Sequence, residues 1–463
     1  MNTAQSTTLA EQLGVFAAQL RPDDIPAHVR ERACHLMLDA TGIACASTGY
    51  EFAQRTLNAA RELGEGDSDV IAMGAKLSLR DAILLNGVLV HGLDYDDTHG
   101  RGVIHATASC YPTALGVAAK LGVSGADLLC AYVVGMELAT RIASVAKGGF
   151  HQVGFHPTGL VGAFACAVIA GKLQGQSAAQ LAHAQGIALS TASGSLEFLE
   201  DGAWTKRLHP GWAGVAGLTA ATLARHGFIG PKATYEGRFG LFNSHLGDRA
   251  AECDYSLATA DLGEVWEVTQ VAVKPLPACH FTHACADAAM QLRQQGVRSE
   301  DVRSIIALVP KETVGIVCEP VASKRRPKNS YEAQFSIPYA VASGLLRGRY
   351  GLVEQEAQAL TDPQVLALAD KVEYAIDPAS GFPRHYSGEV VVTLNDGRVL
   401  RHREAINRGS SDRPLSNAEI VEKFRENAAT TQSPQRVDAL LDAVLNLEDR
   451  PARACSQALA ARV

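Results

Sequence analysis

The stretch from His91 to His105 is the first candidate for chemistry. It contains three carboxylates and three imidazoles, those of Asp94, Asp96, Asp97, His91, His99 and His105. Crowded carboxylates raise the pKa of one member, and histidine titrates near neutrality, so the stretch is equipped for proton transfer. The alternative interpretation is a solvated helix end with capping aspartates.

The same stretch follows an apolar run, residues 82–90, that is long enough to form a buried helix. If this helix continues through Thr98, then Asp94, Asp97 and Thr98 share one face, because residues three and four apart are neighbours on a helix. Three polar side chains would then point to one place.

Two later stretches combine a histidine with features that favour anion binding. Pro157 fits the first turn of a helix that begins near His156, where free amides and the helix dipole attract a carboxylate. Lys206 and Arg207 lie within three residues of another histidine, His209, and charged hydrogen bonds to carboxylates are strong. The alternatives are a structural hydrogen bond for His156 and ordinary surface charge for the two cations.

The segment from Lys274 to Cys285 follows a predicted strand. A zinc site has to be considered for Cys279, His280, His283 and Cys285. Their spacing matches no common zinc pattern, so no metal is expected. A clasp for an anionic substrate led by Lys274 fits better, and a solvated lysine is the alternative.

Two phenols precede a later predicted helix. Either Tyr331 or Tyr339 offers a hydroxyl to a substrate oxygen, although a tyrosine at a helix start is most often a core residue.

The elements that position these residues change character near Trp266. Residues 8–246 are rich in Ala and Gly and show helical periodicity, with helices predicted at Gly125–Val145, Thr158–Leu173 and Ala213–Gly227 among others. Later segments alternate like strands, at Glu267–Val273 and Val302–Val309, and a hairpin turns at residues 395–397. We predict a mainly α protein, with a large all-helical domain of residues 1–266 and 405–463 and an inserted, smaller α+β domain of residues 267–404.

Composition excludes several classes of protein. The 463 residues carry a formal charge of −7 and show no basic stripe, which argues against a nucleic-acid partner. Ten scattered cysteines without a CxxC pair indicate reduced thiols, and the first residues lack the pattern of a signal peptide. No apolar run reaches about 18 residues, the length of a membrane span. We therefore expect a cytoplasmic protein with no membrane partner.

Taken together, four stretches resemble the MmgE/PrpD family in order and approximate spacing. They are His91–His99, Gly154–Pro157, Thr205–His209 and Lys274–Pro277. The resemblance covers nearly the whole chain. It implies a helical domain with a smaller α+β lid, a homodimer, and a site between the domains that needs no cofactor.

The resemblance also implies functional residues. Catalytic roles fall to Asp94, His105, His156, Lys206, Lys274 and Tyr339, and substrate contacts to Thr98, Arg207 and His280. His99 is a rival to His105, and His283 is a rival to His280. In this scheme the two lysines neutralise carboxylates, His105 steered by Asp94 moves a proton, and His156 or Tyr339 protonates a leaving hydroxyl.

The expected function is that of a lyase acting on a small di- or tricarboxylic acid by proton transfer next to a carboxylate. A hydro-lyase resembling 2-methylcitrate dehydratase is the first interpretation. An epimerase of iminodisuccinate-like acids, a cis-aconitate-type decarboxylase, and a non-catalytic binding protein on the same fold are the alternatives.

Overall fold

A computed structural model describes residues 7–461 of the chain. Helices account for 59% of it, which confirms the mainly α prediction. Its contacts define two units: a helical unit made of the residues up to Gly92, Asp96–Ala272 and the residues from Ser416, and a mixed unit made of Leu93–Tyr95 and Val273–Leu415. The first six residues, on which the signal-peptide expectation rests, lie outside the described residues.

Long helices dominate the helical unit. They are Leu9–Gln19, Ala27–Ser47, Glu51–Leu63, Leu79–His91, Thr107–Leu121, Gly125–Val145, Gly162–Leu173, Ala178–Ala188, Thr205–Arg225, Asn417–Ala428, Pro434–Leu445 and Ala452–Ala460. Shorter helical pieces join them at Gly149–Gln152, Pro157–Leu160, Phe198–Asp201 and Leu241–Leu246. Two antiparallel strand pairs complete the unit, Ser68–Asp69 with Lys76–Leu77 and Thr98–His99 with Val271–Ala272.

The helix Gly125–Val145 forms the centre of this unit. It is the one helix in residues 7–461 that is long and apolar enough to cross a membrane, but its apolar window is entirely buried inside the structure. A core helix of a globular domain passes the same test. Its one buried ion pair, Glu137 with Arg141, is satisfied locally, because Arg141 also donates to the carbonyls of Ala260 and Val265.

Two helix boundaries differ from the prediction. The helix expected from Ala213 begins at Thr205 and contains Pro210. Because Pro210 lies in the second turn, where few backbone bonds are lost, it did not delay the helix start. The helix expected from Thr158 to Leu173 is divided at Val161 into a single turn and a longer helix.

The mixed unit is built on a four-stranded sheet. The strand order is Val372–Ile376, Val302–Val309, Gly388–Leu394 and Val399–Glu404, with the first pair parallel and the other two antiparallel. The helices His280–Gln294 and Ile337–Arg347 pack in its core together with Pro363–Ala369. Shorter helical pieces lie at Val314–Val317, Val321–Arg325, Ser330–Gln334 and Ala357–Leu360.

The strand predicted at Glu267–Val273 is wrong in most of its length. Residues Glu267–Gln270 form a 3-10 turn, and the two-residue strand that follows pairs with Thr98–His99 of the helical unit. Valine-rich alternation favoured a strand, but the neighbours of this segment decided its conformation. The helical unit therefore extends to Ala272.

Candidate active site

Two helices of the helical unit cross at a pair of glycines. A Cβ atom on Gly87 would lie 2.5 Å from the Cα of Gly211, and a Cβ on Gly211 would lie 2.2 Å from the carbonyl oxygen of Leu84. Only glycine allows the helices Leu79–His91 and Thr205–Arg225 to approach this closely. The crossing places the end of the first helix beside the start of the second, so Arg207 donates to the Gly92 carbonyl at 2.7 Å.

His91 is the last residue of the first helix, and its ring pairs with a carboxylate five residues on. The Nδ1 atom of His91 lies 2.7 Å from Oδ2 of Asp96, and both residues are 1% exposed. The helix does not continue through Thr98 as the sequence suggested. It ends at His91, and Asp94 adopts a left-handed conformation with φ of 51°, so Asp94, Asp97 and Thr98 do not share a helix face.

The next segment is held by a short bridge. His99 and Ile104 exchange backbone hydrogen bonds, and the Nε2 atom of His99 lies 2.9 Å from the carboxylate of Glu267. Arg101 pairs with the same carboxylate, and these contacts hold the pKa of Glu267 at about 2 although burial alone would raise it. His99 therefore fixes the loop that ends at His105.

His105 has its ring orientation set by the backbone. Its Nδ1 atom lies 2.7 Å from the carbonyl oxygen of Asp97 and 3.2 Å from the hydroxyl of Thr98. A carbonyl oxygen only accepts, so Nδ1 carries the hydrogen and the neutral ring has its lone pair on Nε2. That tautomer is suited to take or give a proton at Nε2.

His156 meets His209 across a second close contact. Their Nδ1 atoms are 3.0 Å apart, so one ring donates and the other accepts. His156 precedes the short helix Pro157–Leu160, and a Cβ on Gly159 would lie 3.0 Å from the Cβ of His209. This glycine allows the two histidines to approach.

Together His91, His105, His156 and His209 form what we call the imidazole cluster. The ring centroid of His91 lies 5.1 Å from that of His105 and 5.4 Å from that of His156. His105 and His156 are 5.9 Å apart, and His156 and His209 are 5.2 Å apart. The Nε2 atoms of His91 and His156 are buried and have no hydrogen-bond partner among residues 7–461.

Burial and Lys206 keep part of the imidazole cluster neutral. The pKa of His209 is lowered to about 4 by burial and by the nearby charges of His91 and Lys206. Burial followed by the same neighbours and His105 places the pKa of His156 well below its usual range. His151, next to His156, has its pKa lowered to about 4 by burial and Lys206. At neutral pH these rings are available as proton acceptors.

Asp97, whose backbone carbonyl contacts His105, has a pKa that is raised and not lowered. Burial raises the pKa of Asp97 to about 7, assisted by the charges of Asp96 and Asp39 and opposed by a hydrogen bond from Thr107. The Thr107 hydroxyl also lies 2.7 Å from the Tyr132 hydroxyl. A carboxyl group that titrates near neutrality therefore borders the residues that orient His105.

In the mixed unit, Asp94 and Lys274 form a buried pair. The Nζ atom of Lys274 lies 2.8 Å from Oδ1 of Asp94 and 2.9 Å from its backbone oxygen. Tyr95 donates to the carbonyl of Pro275 at 3.1 Å. The sequence scheme had Asp94 steering His105. In the structure the Asp94 carboxylate pairs with Lys274, and Asp97 and Thr98 are among the residues that contact His105.

His280 and His283 also lie in the mixed unit. Their ring centroids are 4.7 Å apart, Asn407 donates to Nε2 of His280 at 3.0 Å, and Nε2 of His283 donates to the carbonyl of Ala278 at 3.1 Å. Cys285 instead points to the carbonyl of Leu308 on the sheet. Over residues 7–461, no group of three or more His, Cys, Asp or Glu side chains is arranged to hold a metal ion.

Two of the predicted site residues have structural contacts. The hydroxyl of Tyr339 donates to the carbonyl of Glu354 at 2.7 Å, and its ring is fully buried against Tyr350. The Arg207 guanidinium lies 4.7 Å from the ring centre of Phe52 and binds the end of the first helix. The proton-donating role of Tyr339 and the substrate contact of Arg207 stay predictions.

Sequence analysis missed three members of this region as site residues. His91 and His209 belong to the imidazole cluster, and His151 adjoins it. Each lies within five residues of a residue that was named, and that proximity was the available signal. Their convergence depends on the glycine crossing, which periodicity does not reveal.

Comparison with known proteins gives two family matches and several relatives. The MmgE/PrpD N-terminal domain matches residues 11–254, and the MmgE/PrpD C-terminal domain matches residues 276–449. The cis-aconitate decarboxylase of Homo sapiens is 32% identical over 384 residues, covering 80% of this chain and 76% of its own length. The cis-aconitate decarboxylase-like protein oryM of Aspergillus oryzae is 29% identical over 474 residues and covers 96% of each chain.

A dehydratase also matches, over a shorter region. The 2-methylcitrate dehydratase of Cupriavidus necator is 29% identical over 186 residues, which is 37% of this chain and 37% of its own. The relatives are therefore enzymes of two lyase types. Because the two family domains together cover most of the sequence in the expected order, the chain belongs to the MmgE/PrpD family.

Proposed function

We propose that the protein is a cofactor-independent lyase that acts on a small di- or tricarboxylic acid by proton transfer at a carbon next to a carboxylate. The observation that carries the proposal is the imidazole cluster beside Lys206. Four imidazoles lie within 6 Å of their neighbours, and imidazole is the side chain that most often serves as general acid or base.

Lys206 is assigned to the substrate's carboxylate. It is 9% exposed and its charge is felt by three neighbouring histidines. A partly desolvated ammonium group attracts an anion more strongly than one in water, and it stabilises charge that develops on the carboxylate as the adjacent carbon becomes a carbanion.

The proton transfer is assigned to His105. Its Nδ1 hydrogen is engaged by the Asp97 carbonyl, so the proton is exchanged at Nε2. In dehydration Nε2 removes a proton from carbon while an acid protonates the leaving hydroxyl. In decarboxylation the C–C bond to a carboxylate breaks, carbon dioxide leaves, and the electron pair that remains on carbon takes a proton from the imidazolium.

Between the two lyase types we favour decarboxylation of a cis-aconitate-like acid. Support comes from the extent of the matches, since decarboxylases align over 80% or more of this chain and the dehydratase over 37%. Dehydration of a 2-methylcitrate-like acid is the second candidate, because the same residues perform its first step. Epimerisation needs two bases on opposite faces of the substrate and has no separate support.

Proton NMR of the purified protein in heavy water tests the proposal. The panel is cis-aconitate, 2-methylcitrate, citrate and iminodisuccinate. Loss of a carboxylate with deuterium at the carbon that it leaves supports decarboxylation, and formation of an alkene from 2-methylcitrate supports dehydration. No conversion and no exchange with any of them contradicts the proposal. His105→Gln should abolish the reaction, and His402→Gln, on the sheet of the mixed unit, is the matched control.

The proposal includes a cytoplasmic homodimer. All ten cysteines are free thiols, which suits a reducing compartment. An exposed apolar stripe at the start of the helix Thr205–Arg225, which includes Leu208 and Trp212, supports self-association. The partner of the site is the small acid, with no nucleic acid or membrane.

A further inference from the structure

One carboxylate oxygen lies between two imidazoles of the cluster. The Oδ2 atom of Asp96 is 2.7 Å from Nδ1 of His91 and 4.0 Å from Nδ1 of His105. The side chains of His91 and Asp96 are 0% and 1% exposed, whereas that of His105 is 13% exposed. Of these three side chains, only the imidazole of His105 is open to a ligand. His91 and Asp96 form a buried row behind it.

The position of Asp96 matters when His105 takes up a proton. Its Nδ1 hydrogen is already held by the Asp97 carbonyl, so the new proton binds Nε2 and the ring becomes positive. A carboxylate within about 4–6 Å favours the charged form of an imidazole. Asp96 supplies a carboxylate oxygen at this distance, 4.0 Å from Nδ1 of His105.

His91 holds the carboxylate of Asp96 in place. Its Nδ1 hydrogen donates to Oδ2 of Asp96, and its Nε2 atom has no partner among the described residues. This hydrogen bond fixes the position of the oxygen that faces His105. Other titratable groups around the row are Asp39, Asp97, His156, Lys206 and His209.

We propose that His91, Asp96 and His105 form a relay in which Asp96 stabilises the charged form of His105 and His91 is the positioning residue for Asp96. The assignment rests on the proposed function. When Nε2 of His105 takes a proton from carbon, the electron pair of the broken C–H bond stays on carbon and the positive charge lies beside Asp96. Return of the proton to carbon restores the neutral ring. This assigns to Asp96 the steering role that the sequence gave to Asp94.

Four variants of the full chain test the relay. Asp96→Asn removes the charge with little change of shape, His91→Leu removes the hydrogen bond, and His91→Asn keeps an amide N–H close to the position of Nδ1. His183→Gln is the control, because His183 belongs to the same unit but its ring donates to the carbonyl of Gly230. The readouts are kcat and KM against pH with cis-aconitate, and the titration of His105 by NMR with ¹³Cε1-labelled histidine, without substrate.

The expected result has two parts. Asp96→Asn lowers the titration midpoint of His105 by about one pH unit or more and lowers kcat by about 100-fold or more with a small change in KM. His91→Leu acts in the same direction, His91→Asn recovers part of the loss, and His183→Gln leaves the midpoint unchanged.

Other outcomes separate the relay from the proposed function. An unchanged His105 midpoint in Asp96→Asn overturns the relay, as does a loss of kcat in His91→Leu that His91→Asn does not recover. If the wild-type protein converts none of the four acids but the midpoint still moves as expected, the proposed function fails and the electrostatic relay stands.

Discussion

The ammonium group of Lys274 donates to both the carboxylate and the backbone carbonyl of Asp94, at 2.8 and 2.9 Å. Asp94 is one of five non-glycine residues in the described chain with a positive φ, a conformation that is costly for a side chain with a Cβ. One cation therefore neutralises a buried carboxylate and holds the unusual backbone that carries it.

Lys274→Met is expected to destabilise the mixed unit by about 3–5 kcal/mol, because it leaves the Asp94 carboxylate buried without its cation. The double variant Asp94→Asn with Lys274→Met should recover a large part of this loss. Calorimetric unfolding of both variants checks the prediction. Arg55→Ala, which breaks an exposed ion pair with Glu51, is the control and should cost less than about 1 kcal/mol. Equal losses in the single and double variants would contradict it.

Acid should destabilise the helical unit through its histidines. The pKa of His209 is about 4 in the folded chain against a reference value of 6.5, so between these values the unfolded chain binds a proton that the folded chain does not. The stability contribution is complete above pH 6.5 and is lost as the pH falls toward 4. We expect the decrease in Tm over this interval to be smaller in His209→Gln than in the wild type. An identical decrease would contradict the assignment.

Titration of Asp97 should change the stability of the fold with pH in the opposite direction. Its pKa is about 7 in the folded chain against a reference value of 3.8, so the folded chain holds a proton that the unfolded chain has released. Stability from the neutral carboxyl group is complete below pH 3.8 and is lost as the pH rises through 7. Asp97→Asn should therefore gain stability relative to the wild type between pH 5 and pH 8. Thermal unfolding at these two pH values measures the difference in Tm between the variant and the wild type. A difference that is the same at both pH values would refute the prediction.

Much of the fold was predictable from the sequence, and the arrangement of the site was less so. The strand Val302–Val309 and the helix Gly125–Val145 match the structure. In each segment the apolar residues repeat with a single period, that of a strand or of a helix, and the ends of the segment are clear. The strand at Glu267–Val273 failed, since its partners lie far away in the sequence. The imidazole cluster likewise depends on a helix crossing that Gly87 and Gly211 permit, and pairs of distant glycines leave no periodic signal.

A substitution on the exposed stripe tests the homodimer. Trp204, Leu208 and Trp212 follow each other at four-residue steps on one helix face, and they are 43%, 40% and 45% exposed. Contiguous exposed apolar side chains of this size favour association with another protein surface. We expect the wild type to elute as a dimer in light-scattering chromatography and Trp212→Glu to shift toward the monomer. Thr219→Glu, farther along the same helix, is the control. A monomeric wild type would contradict the homodimer.

Lys206→Met should change the titration of its neighbours and the affinity for substrate together. The Lys206 charge lowers the pKa of His151 and of His209, so its removal should raise both values, which labelled-histidine NMR measures. If Lys206 also binds the substrate's carboxylate, KM for the acid should rise because an ion pair is lost. Lys172→Met is the matched control, since Lys172 binds backbone carbonyls of Ala17 and Leu20 elsewhere in the helical unit. Raised histidine pKa values with unchanged kinetics would place Lys206 beside the imidazole cluster without a role in binding substrate.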